Sequence, residues 1–316
     1  MANIYDGNGN VIEISGGTSA FDVIDYALFT DNDGVSSRQA ILTYNGKRLY
    51  PKNYPGQRID TIKKYDGGVM LTLGDSYTAY MNTFFTTFAE KHGLVQDNRG
   101  LASSTIAGSE DKVTVGYHAF WVRLNEAIAQ YQSGYTINDV AYTCEDVKLI
   151  TFMGGANDWG TVNSELNRLG VGANETNKET LYGALNYIFA TLLSTFPNAD
   201  IVVILQPTNY ASTVPTTEED AKNVGFDSLA QVQGMTTDAQ YSSYLMMRKE
   251  VIVKEMAERY GLPICDCCFD WYNPIRPNEA TTYWQADKLH LTDAGHQAII
   301  DKLEYTLNNL QFTRNV

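Results

Sequence analysis

The stretch Val69-Met70-Leu71-Thr72-Leu73-Gly74-Asp75-Ser76 passes from an apolar run into a polar turn. The run at 69–73 has no charged residue and stands between glycines, which is typical of a strand buried on both faces. Apolar residues then recur with the spacing of one helix face, at Met81, Phe84, Phe85 and Phe88. A buried strand that turns directly into a helix predicts an α/β protein, in which such units surround a parallel sheet.

The same alternation continues along the chain. Further apolar runs predict strands at 147–153, 201–205 and 262–267, and helical spacing predicts helices within 181–192, 244–256 and 299–310. Thr292 is the expected N-cap of the last helix. Two segments without a strong pattern, about 100–120 and 207–239, follow strand ends, where ligands bind in open α/β sheets.

Residues 1–66 differ in character from residues 67–316. Turn signals are dense in the first part, where Asp6-Gly7-Asn8-Gly9-Asn10 precedes an apolar pair in a hairpin-like pattern. We therefore expect a small β-rich N-terminal extension at 1–66 and one α/β domain at 67–316. The extension is a candidate docking or oligomerisation module, through which the chain would form a homo-oligomer or join a larger assembly.

The 316 residues carry a net charge of -14, with 23 Lys and Arg in total. Nucleic acids and anionic membranes are bound through basic patches, so neither is an expected partner. The N-terminus resembles no secretory signal, and no apolar run is long enough to span a bilayer. These features predict a cytoplasmic protein or a component of a virion or surface assembly, such as a phage tail.

Four cysteines occur, at Cys144, Cys265, Cys267 and Cys268. Cys265 and Cys268 make one Cys-x-x-Cys, but no second pair completes a zinc site. Buried, reduced thiols are favoured over a redox role. We expect neither a metal nor a cofactor.

Ser76 lies where the predicted strand turns into a helix and is the candidate nucleophile, although an N-cap serine has the same local signature. A serine attacks only if a base takes its proton, and the sequence offers four histidines: His92, His118, His290 and His296. His290 is favoured because Asp287, three residues earlier, can orient its imidazole. His118, in an unassigned loop, is the rival base, and Asp293 is the competing acid.

A second polar turn, Gly154-Gly155-Ala156-Asn157-Asp158, follows the predicted strand at 147–153. Its glycines allow the backbone to approach a ligand closely. Asn157 can donate its side-chain amide to a developing oxyanion, although an ordinary Asx turn would also explain it. Nucleophile, base, orienting acid and oxyanion donor are the parts that acyl transfer needs.

Three blocks of the sequence resemble, in order and spacing, the first, third and fifth blocks of the SGNH (GDSL) hydrolase superfamily over about residues 68–310. They are Gly74-Asp75-Ser76, Gly155-Ala156-Asn157-Asp158 and Asp287-Lys288-Leu289-His290. The resemblance implies a flavodoxin-like three-layer α/β/α sandwich with a parallel sheet. It also implies a catalytic triad of Ser76, His290 and Asp287, with the Ser76 N–H and the Asn157 amide in the oxyanion hole.

The second block of the family is matched less closely. Residues 98–105 resemble it, but Ser103 stands where the family has the glycine whose N–H is the remaining oxyanion donor. A serine N–H can donate equally well, so we expect Ser103 in that role. Gly100 would take it if the register of the match slipped.

Aromatic residues are frequent near the motifs, with 21 Tyr and 4 Trp in the chain, and aromatic faces can stack on sugar rings. Packing would explain them about as well. The candidate substrate-binding residues are Asp75, Tyr77, Gly155, Trp159, Tyr210 and Trp284. The segment 207–239 is polar rather than an apolar lid. We therefore expect a serine esterase that acts on a glycan or small-molecule ester, with carbohydrate O-deacetylation favoured. The alternatives are a lipid or thioester hydrolase with the same triad, or a structural or glycan-binding component of a phage tail or surface assembly.

Overall fold

The computed structural model describes Tyr65 and residues 67–109, 119–158, 172–207, 216–223, 228–231, 238–268, 280–287 and 289–314, together with the backbone of five strands between residues 4 and 49. The predictions for His118, Trp159 and Tyr210 lie outside these residues. The chain divides into two compact units, one of Met1–Lys64 with Asn308–Val316 and one of Tyr65–Leu307.

The described part of the first unit consists mainly of antiparallel strands. β1 (Ile4–Tyr5) pairs with β2 (Val11–Ile12) in antiparallel orientation. β3 (Phe21–Thr30), β4 (Ser36–Tyr44) and β5 (Lys47–Leu49) pair in chain order as a three-stranded sheet. These five strands lie within residues 1–66, for which the sequence predicts a β-rich N-terminal extension.

The larger unit is built around a parallel sheet. The strands of this sheet are β6 (Val69–Gly74), β7 (Val95–Gly100), β10 (Val147–Met153), β11 (Asp200–Leu205) and β12 (Ile264–Asp266). β8 (Tyr135–Ile137) and β9 (Val140–Tyr142) form a separate hairpin. The sheet order is β12-β11-β10-β6-β7, and every pairing is parallel. This is the flavodoxin order, in which chain progression reverses between β6 and β10. Ligands bind beyond the strand ends at such a reversal.

The helices described in this structure alternate with the strands of the sheet. They are α1 (Ser76–Tyr80), α2 (Asn82–Lys91), α3 (Phe120–Gln132), α4 (Leu181–Thr195), α5 (Glu218–Asn223), α6 (Asp238–Arg259), α7 (Ala280–Tyr283) and α8 (Asp293–Arg314), with 3₁₀ turns at Cys144–Asp146 and Leu229–Gln231. None of these described helices combines the length and apolar character that crossing a membrane requires.

The sheet is covered on both faces. Alternate residues of β6, β10 and β11 join the buried sides of α3, α4 and α6 in one apolar cluster. The intervening residues, such as Met70 and Val202, are also buried, and they need a second layer because successive strand residues point to opposite faces. α2 and α8 form that layer, and the rings of Phe84 and His296 meet there with centroids 5.3 Å apart. The predicted three-layer α/β/α sandwich is confirmed.

Local predictions are confirmed with some differences. Thr292 caps α8, accepting a 3.3 Å hydrogen bond from the Gly295 N–H. The helix predicted within 244–256 is α6, but its buried side includes Val253, whereas Val251 is 52% exposed. Neither β7 nor α3 is predicted by the sequence pattern.

Candidate active site

The first polar turn places a serine at the reversal point of the sheet. β6 ends at Gly74 and α1 begins at Ser76, whose side chain is almost completely buried. Ser76 Oγ lies 3.1 Å from His290 Nε2, which is hydrogen-bond distance. Asp75 is the N-cap of α1 and accepts a 3.0 Å hydrogen bond from the Tyr77 N–H.

A tight turn joins Asp287 to His290. Asp287 Oδ2 lies 2.6 Å from His290 Nδ1, and Oδ1 accepts the N–H groups of Leu289 and His290, each at 2.9 Å. Burial alone would raise the pKa of Asp287, but the hydrogen bonds from His290 and Leu289 outweigh it and lower that pKa below its usual value. The carboxylate is thus ionised at neutral pH and held by the backbone against the imidazole.

Two tyrosines of α1 contact the segment that carries the imidazole. Tyr77 OH donates a 2.6 Å hydrogen bond to the Leu289 carbonyl, which fixes the 287–290 turn against α1. The ring of Tyr80 packs edge-on against His290, with centroids 4.8 Å apart. Tyr80 is 50% exposed, so it forms an aromatic surface beside the candidate base. Sequence reasoning missed it, because a tyrosine at the end of a helix has no distinguishing pattern.

The second polar turn lies against residues 104–107. Asn157, which is half-buried, donates a 3.0 Å hydrogen bond from Nδ2 to the Ser104 carbonyl. The buried Asp158 carboxylate accepts the Ile106 N–H at 2.9 Å and the Ala107 N–H at 3.0 Å. Asp158 therefore ties the two segments that carry the predicted oxyanion donors, a role that sequence reasoning did not assign.

Ser103 adopts a backbone conformation that glycine favours, with φ of 65°. Its side chain is exposed. Gly100, the alternative donor, gives its N–H to Asn98 Oδ1 at 2.7 Å. A Cβ at Gly100 would also collide with the backbone nitrogen of Ala79. The left-handed conformation fits the glycine expected at position 103, and the engaged N–H of Gly100 disfavours the slipped register.

A fully buried polar chain lies beneath both turns. Gln206, which directly follows β11, donates a 2.9 Å hydrogen bond from Nε2 to Asp75 Oδ2 and accepts the Ala156 N–H at Oε1 at 2.8 Å. Its own N–H donates to Glu250 Oε2 at 3.0 Å. Gly155 has φ of 133°, and a Cβ there would stand 3.0 Å from Glu250 Oε1, so both the conformation and the space favour glycine.

Burial changes the ionisation of both carboxyl groups in this chain. For Asp75, desolvation outweighs the hydrogen bonds from Gln206 and Tyr77, and with the nearby charge of Asp158 it raises the pKa from 3.8 to about 7. For Glu250, desolvation likewise raises the pKa well above its usual value. Burial therefore shifts both groups toward the neutral form relative to an exposed carboxyl group.

The shift at Asp75 predicts a pH dependence of stability. Because the folded-state pKa of Asp75 is raised, its favourable contribution is full below about pH 4 and is lost as the pH rises through about 7. Asp75→Asn has no such proton. We subtract the free energy of unfolding of wild type from that of Asp75→Asn. This difference is expected to increase by on the order of 4 kcal/mol as the pH rises from about 4 to about 7.

Urea unfolding of both proteins at pH 4 to 8 measures this difference. A lost contact to Gln206 would change the free energy of unfolding of Asp75→Asn by the same amount at every pH. Glu250 is present in both proteins, so its titration cancels. The pH dependence of the difference between the two proteins therefore reports the titration of Asp75. Parallel curves would show that Asp75 keeps its ordinary pKa.

Several of the predicted substrate-binding residues are buried in the structure. Asp75, Tyr77 and Trp284 are buried, and Trp284 pairs through its backbone with Leu291. The Asp75 carboxyl accepts the Tyr77 N–H, and the Tyr77 hydroxyl donates to the Leu289 carbonyl. Gly155 contributes only its backbone, and Trp159 and Tyr210 lie outside the described residues.

The other described histidines lie elsewhere. His92 Nε2 is 2.9 Å from Glu304 Oε2 at the end of α2, and His296 packs in α8. Asp293 is 4.0 Å from His296 Nδ1 and does not contact His290. Of the histidines that the structure describes, His290 is the one beside Ser76.

The cysteines are free thiols, with Cys265 and Cys267 buried and their sulfurs 3.9 Å apart. The contact with Cys265, together with desolvation, raises the pKa of Cys267 and so favours its neutral thiol. Across the described residues, no cluster of three or more His, Cys, Asp or Glu could hold a metal ion.

The chain is similar to known proteins over most of its length. The model of the GDSL-like Lipase/Acylhydrolase family matches residues 72–298. No curated protein matches. A solved protein from Lactobacillus plantarum has 22% identity and a TM-score of 0.50, covering 77% of this chain and 97% of its own. That similarity supports the fold.

Two further solved structures are similar at lower TM-scores. An acetylxylan esterase from Geobacillus stearothermophilus has 17% identity and a TM-score of 0.41, with 78% of this chain and 96% of that chain covered. A GDSL-like lipase from Bacteroides thetaiotaomicron has 13% identity and a TM-score of 0.40, with 79% and 92% covered. The family model covers more than half of the chain, and this match shows to which family the chain belongs. The chain therefore belongs to the GDSL-like lipase/acylhydrolase family and is a carboxylic ester hydrolase.

Proposed function

We propose that the protein is a serine esterase that releases acetyl groups from carbohydrates through an acyl-enzyme. The observation that carries the catalytic part is the continuous contact from Ser76 Oγ to His290 Nε2 and from His290 Nδ1 to Asp287. In this arrangement the imidazole takes the serine proton as Oγ attacks the ester carbonyl. The carboxylate fixes the tautomer and stabilises the imidazolium.

The tetrahedral intermediate carries a negative oxygen that needs preorganised donors. We assign this role to the N–H groups of Ser76 and Ser103 and to the Asn157 side-chain amide. One N–H of that amide is used by the Ser104 carbonyl, which orients the group and leaves the other N–H for the oxyanion. His290 then gives its proton to the leaving alcohol oxygen. A water attacks the acyl-enzyme by the same steps, releasing the acid and restoring Ser76.

The carbohydrate part of the proposal is supported by the side of the site that receives the alcohol. His290 must reach the leaving oxygen, so the alcohol lies beside the imidazole and therefore beside the exposed ring of Tyr80. An aromatic face matches the apolar face of a sugar ring. The polar composition of 207–239 fits a glycan better than a long acyl chain.

A substrate series tests this proposal. We expect acetate release from acetylated xylo-oligosaccharides, and among p-nitrophenyl esters we expect kcat/KM to be highest for acetate and to fall at least tenfold by octanoate. Acetate measured enzymatically and p-nitrophenol measured by absorbance are the readouts. Highest activity on long-chain esters, with no acetate from acetylated glycans, would favour the lipid or thioester alternative.

A further inference from the structure

Gln206 is placed to act on both halves of the catalytic site. Its side-chain amide is fully buried between the turn that carries Ser76 and the turn that carries Asn157. The two ends of one amide contact neighbours of these two residues, since Nε2 reaches Asp75 and Oε1 reaches the Ala156 N–H. We infer that Gln206 is a positioning residue, whose amide sets the separation between the nucleophile and the Asn157 oxyanion donor.

The amide can hold this separation because its own position is fixed. Gln206 lies at the end of the buried strand β11, and its N–H is bonded to Glu250 Oε2. The backbone of Gln206 is therefore held in place, and both the oxygen and the nitrogen of its side-chain amide are hydrogen-bonded. Asp75 transmits the position to Ser76 as the N-cap of α1, and Ala156 is the immediate neighbour of Asn157.

Glutamine is the residue whose chemistry fits this place. Asp75 presents a carboxyl oxygen and needs a donor, while Ala156 presents an N–H and needs an acceptor; an amide has one of each. An apolar side chain of similar size would remove the donor to Asp75 Oδ2 and the Oε1 acceptor of the Ala156 N–H. Buried polar groups that lose a partner drive local rearrangement. Misplacing reacting groups by about 1 Å lowers the rate on the order of 10²-fold. We therefore expect replacement of Gln206 to lower kcat.

The charged groups around the Gln206 amide are mostly acidic. The isosteric substitution Gln206→Glu therefore tests whether the hydrogen bond to Asp75 matters. Asp75 and Asp158 lie on the catalytic turns and Glu250 on α6, with Asp266 of β12 and Lys249 of α6 acting on Glu250. In Gln206→Glu, a protonated carboxyl accepts from Ala156 and donates to Asp75, as the amide does. Once ionised, it has no proton to donate to Asp75, and it repels each neighbouring carboxyl group that is itself ionised.

The inference rests on the proposed function, and kinetics on p-nitrophenyl acetate test it. Gln206→Met is expected to lower kcat about 10²-fold with KM within twofold of wild type. The ratio of kcat in Gln206→Glu to kcat in wild type is expected to be highest at the acidic end of the assay range and to fall as the pH rises. Tyr131→Phe is the matched control, because it removes another buried hydrogen bond, 2.9 Å to Asp97, away from the site.

The control separates positioning from general stability. Tyr131→Phe is expected to lower Tm while kcat stays within twofold of wild type. Wild-type kcat in Gln206→Met overturns the inference, as does a loss that appears in KM alone or a Gln206→Glu ratio independent of pH. If Gln206→Met does not fold, the pH dependence of Gln206→Glu decides the matter. A wild-type protein without Ser76-dependent hydrolysis would instead refute the proposed function.

Discussion

Replacing Ser76 with alanine is expected to lower kcat for p-nitrophenyl acetate by about 10⁶-fold, the loss that follows removal of a serine hydrolase nucleophile. Without Oγ, no acyl-enzyme forms, and the oxyanion donors can only assist direct attack by water. The fold should persist, because among described residues the hydroxyl contacts His290 alone and alanine is a favourable helix residue at the start of α1.

Two measurements on Ser76→Ala make this result specific. Hydrolysis is compared with wild type and with Ser133→Ala, which removes an exposed hydroxyl bonded only to the Gln130 carbonyl at the end of α3. A fluorophosphonate is then incubated with each protein, and intact mass should show one adduct in wild type and Ser133→Ala but none in Ser76→Ala. Equal hydrolysis by all three proteins would place the nucleophile elsewhere.

The architecture was predictable where strands are buried on both faces. β6, β10 and β11 are central strands, and continuous apolar runs mark them. β7 runs Val95-Gln96-Asp97-Asn98-Arg99-Gly100, and among the described strands it pairs only with β6. An edge strand tolerates polar residues, so its sequence looks like a loop. The strand is recognisable only from its neighbour, which single-sequence periodicity does not contain.

The motifs of the candidate active site were predictable because each is local. Ser76 lies two residues after the end of β6, Asn157 lies four residues after the end of β10, and Asp287 lies three residues before His290. The burial of Asp75 and Tyr77 was not predictable, because a single sequence does not show which polar residues a fold encloses. Gln206 had a detectable signal, since it is a polar residue immediately after the apolar run at 201–205.

Glu250 had no such signal. A glutamate in a helix is usually a solvated residue, and its contact with Gln206 spans 44 positions in the chain. Contacts of this kind depend on how β11 and α6 pack, so they require the fold itself.

Asp287→Asn carries the second large effect, an expected fall in kcat of about 10⁴-fold. The turn decides how the new amide is oriented. Two backbone N–H groups, from Leu289 and His290, require an acceptor where Oδ1 now lies. The amide oxygen must occupy that position, so the NH₂ group faces His290 Nδ1. An imidazole that accepts at Nδ1 carries its proton on Nε2 and cannot take the proton of Ser76.

The matched control is Asp293→Asn, which changes the competing acid three residues after His290. Asp293 is 96% exposed and points toward His296, so its loss should leave kcat within twofold of wild type. Both variants are assayed on p-nitrophenyl acetate after circular dichroism shows the same fold. If Asp293→Asn loses activity and Asp287→Asn does not, the orienting acid is Asp293. If neither variant changes kcat, the imidazole works without a carboxylate, because the Tyr77 and Tyr80 contacts alone would then hold it in place.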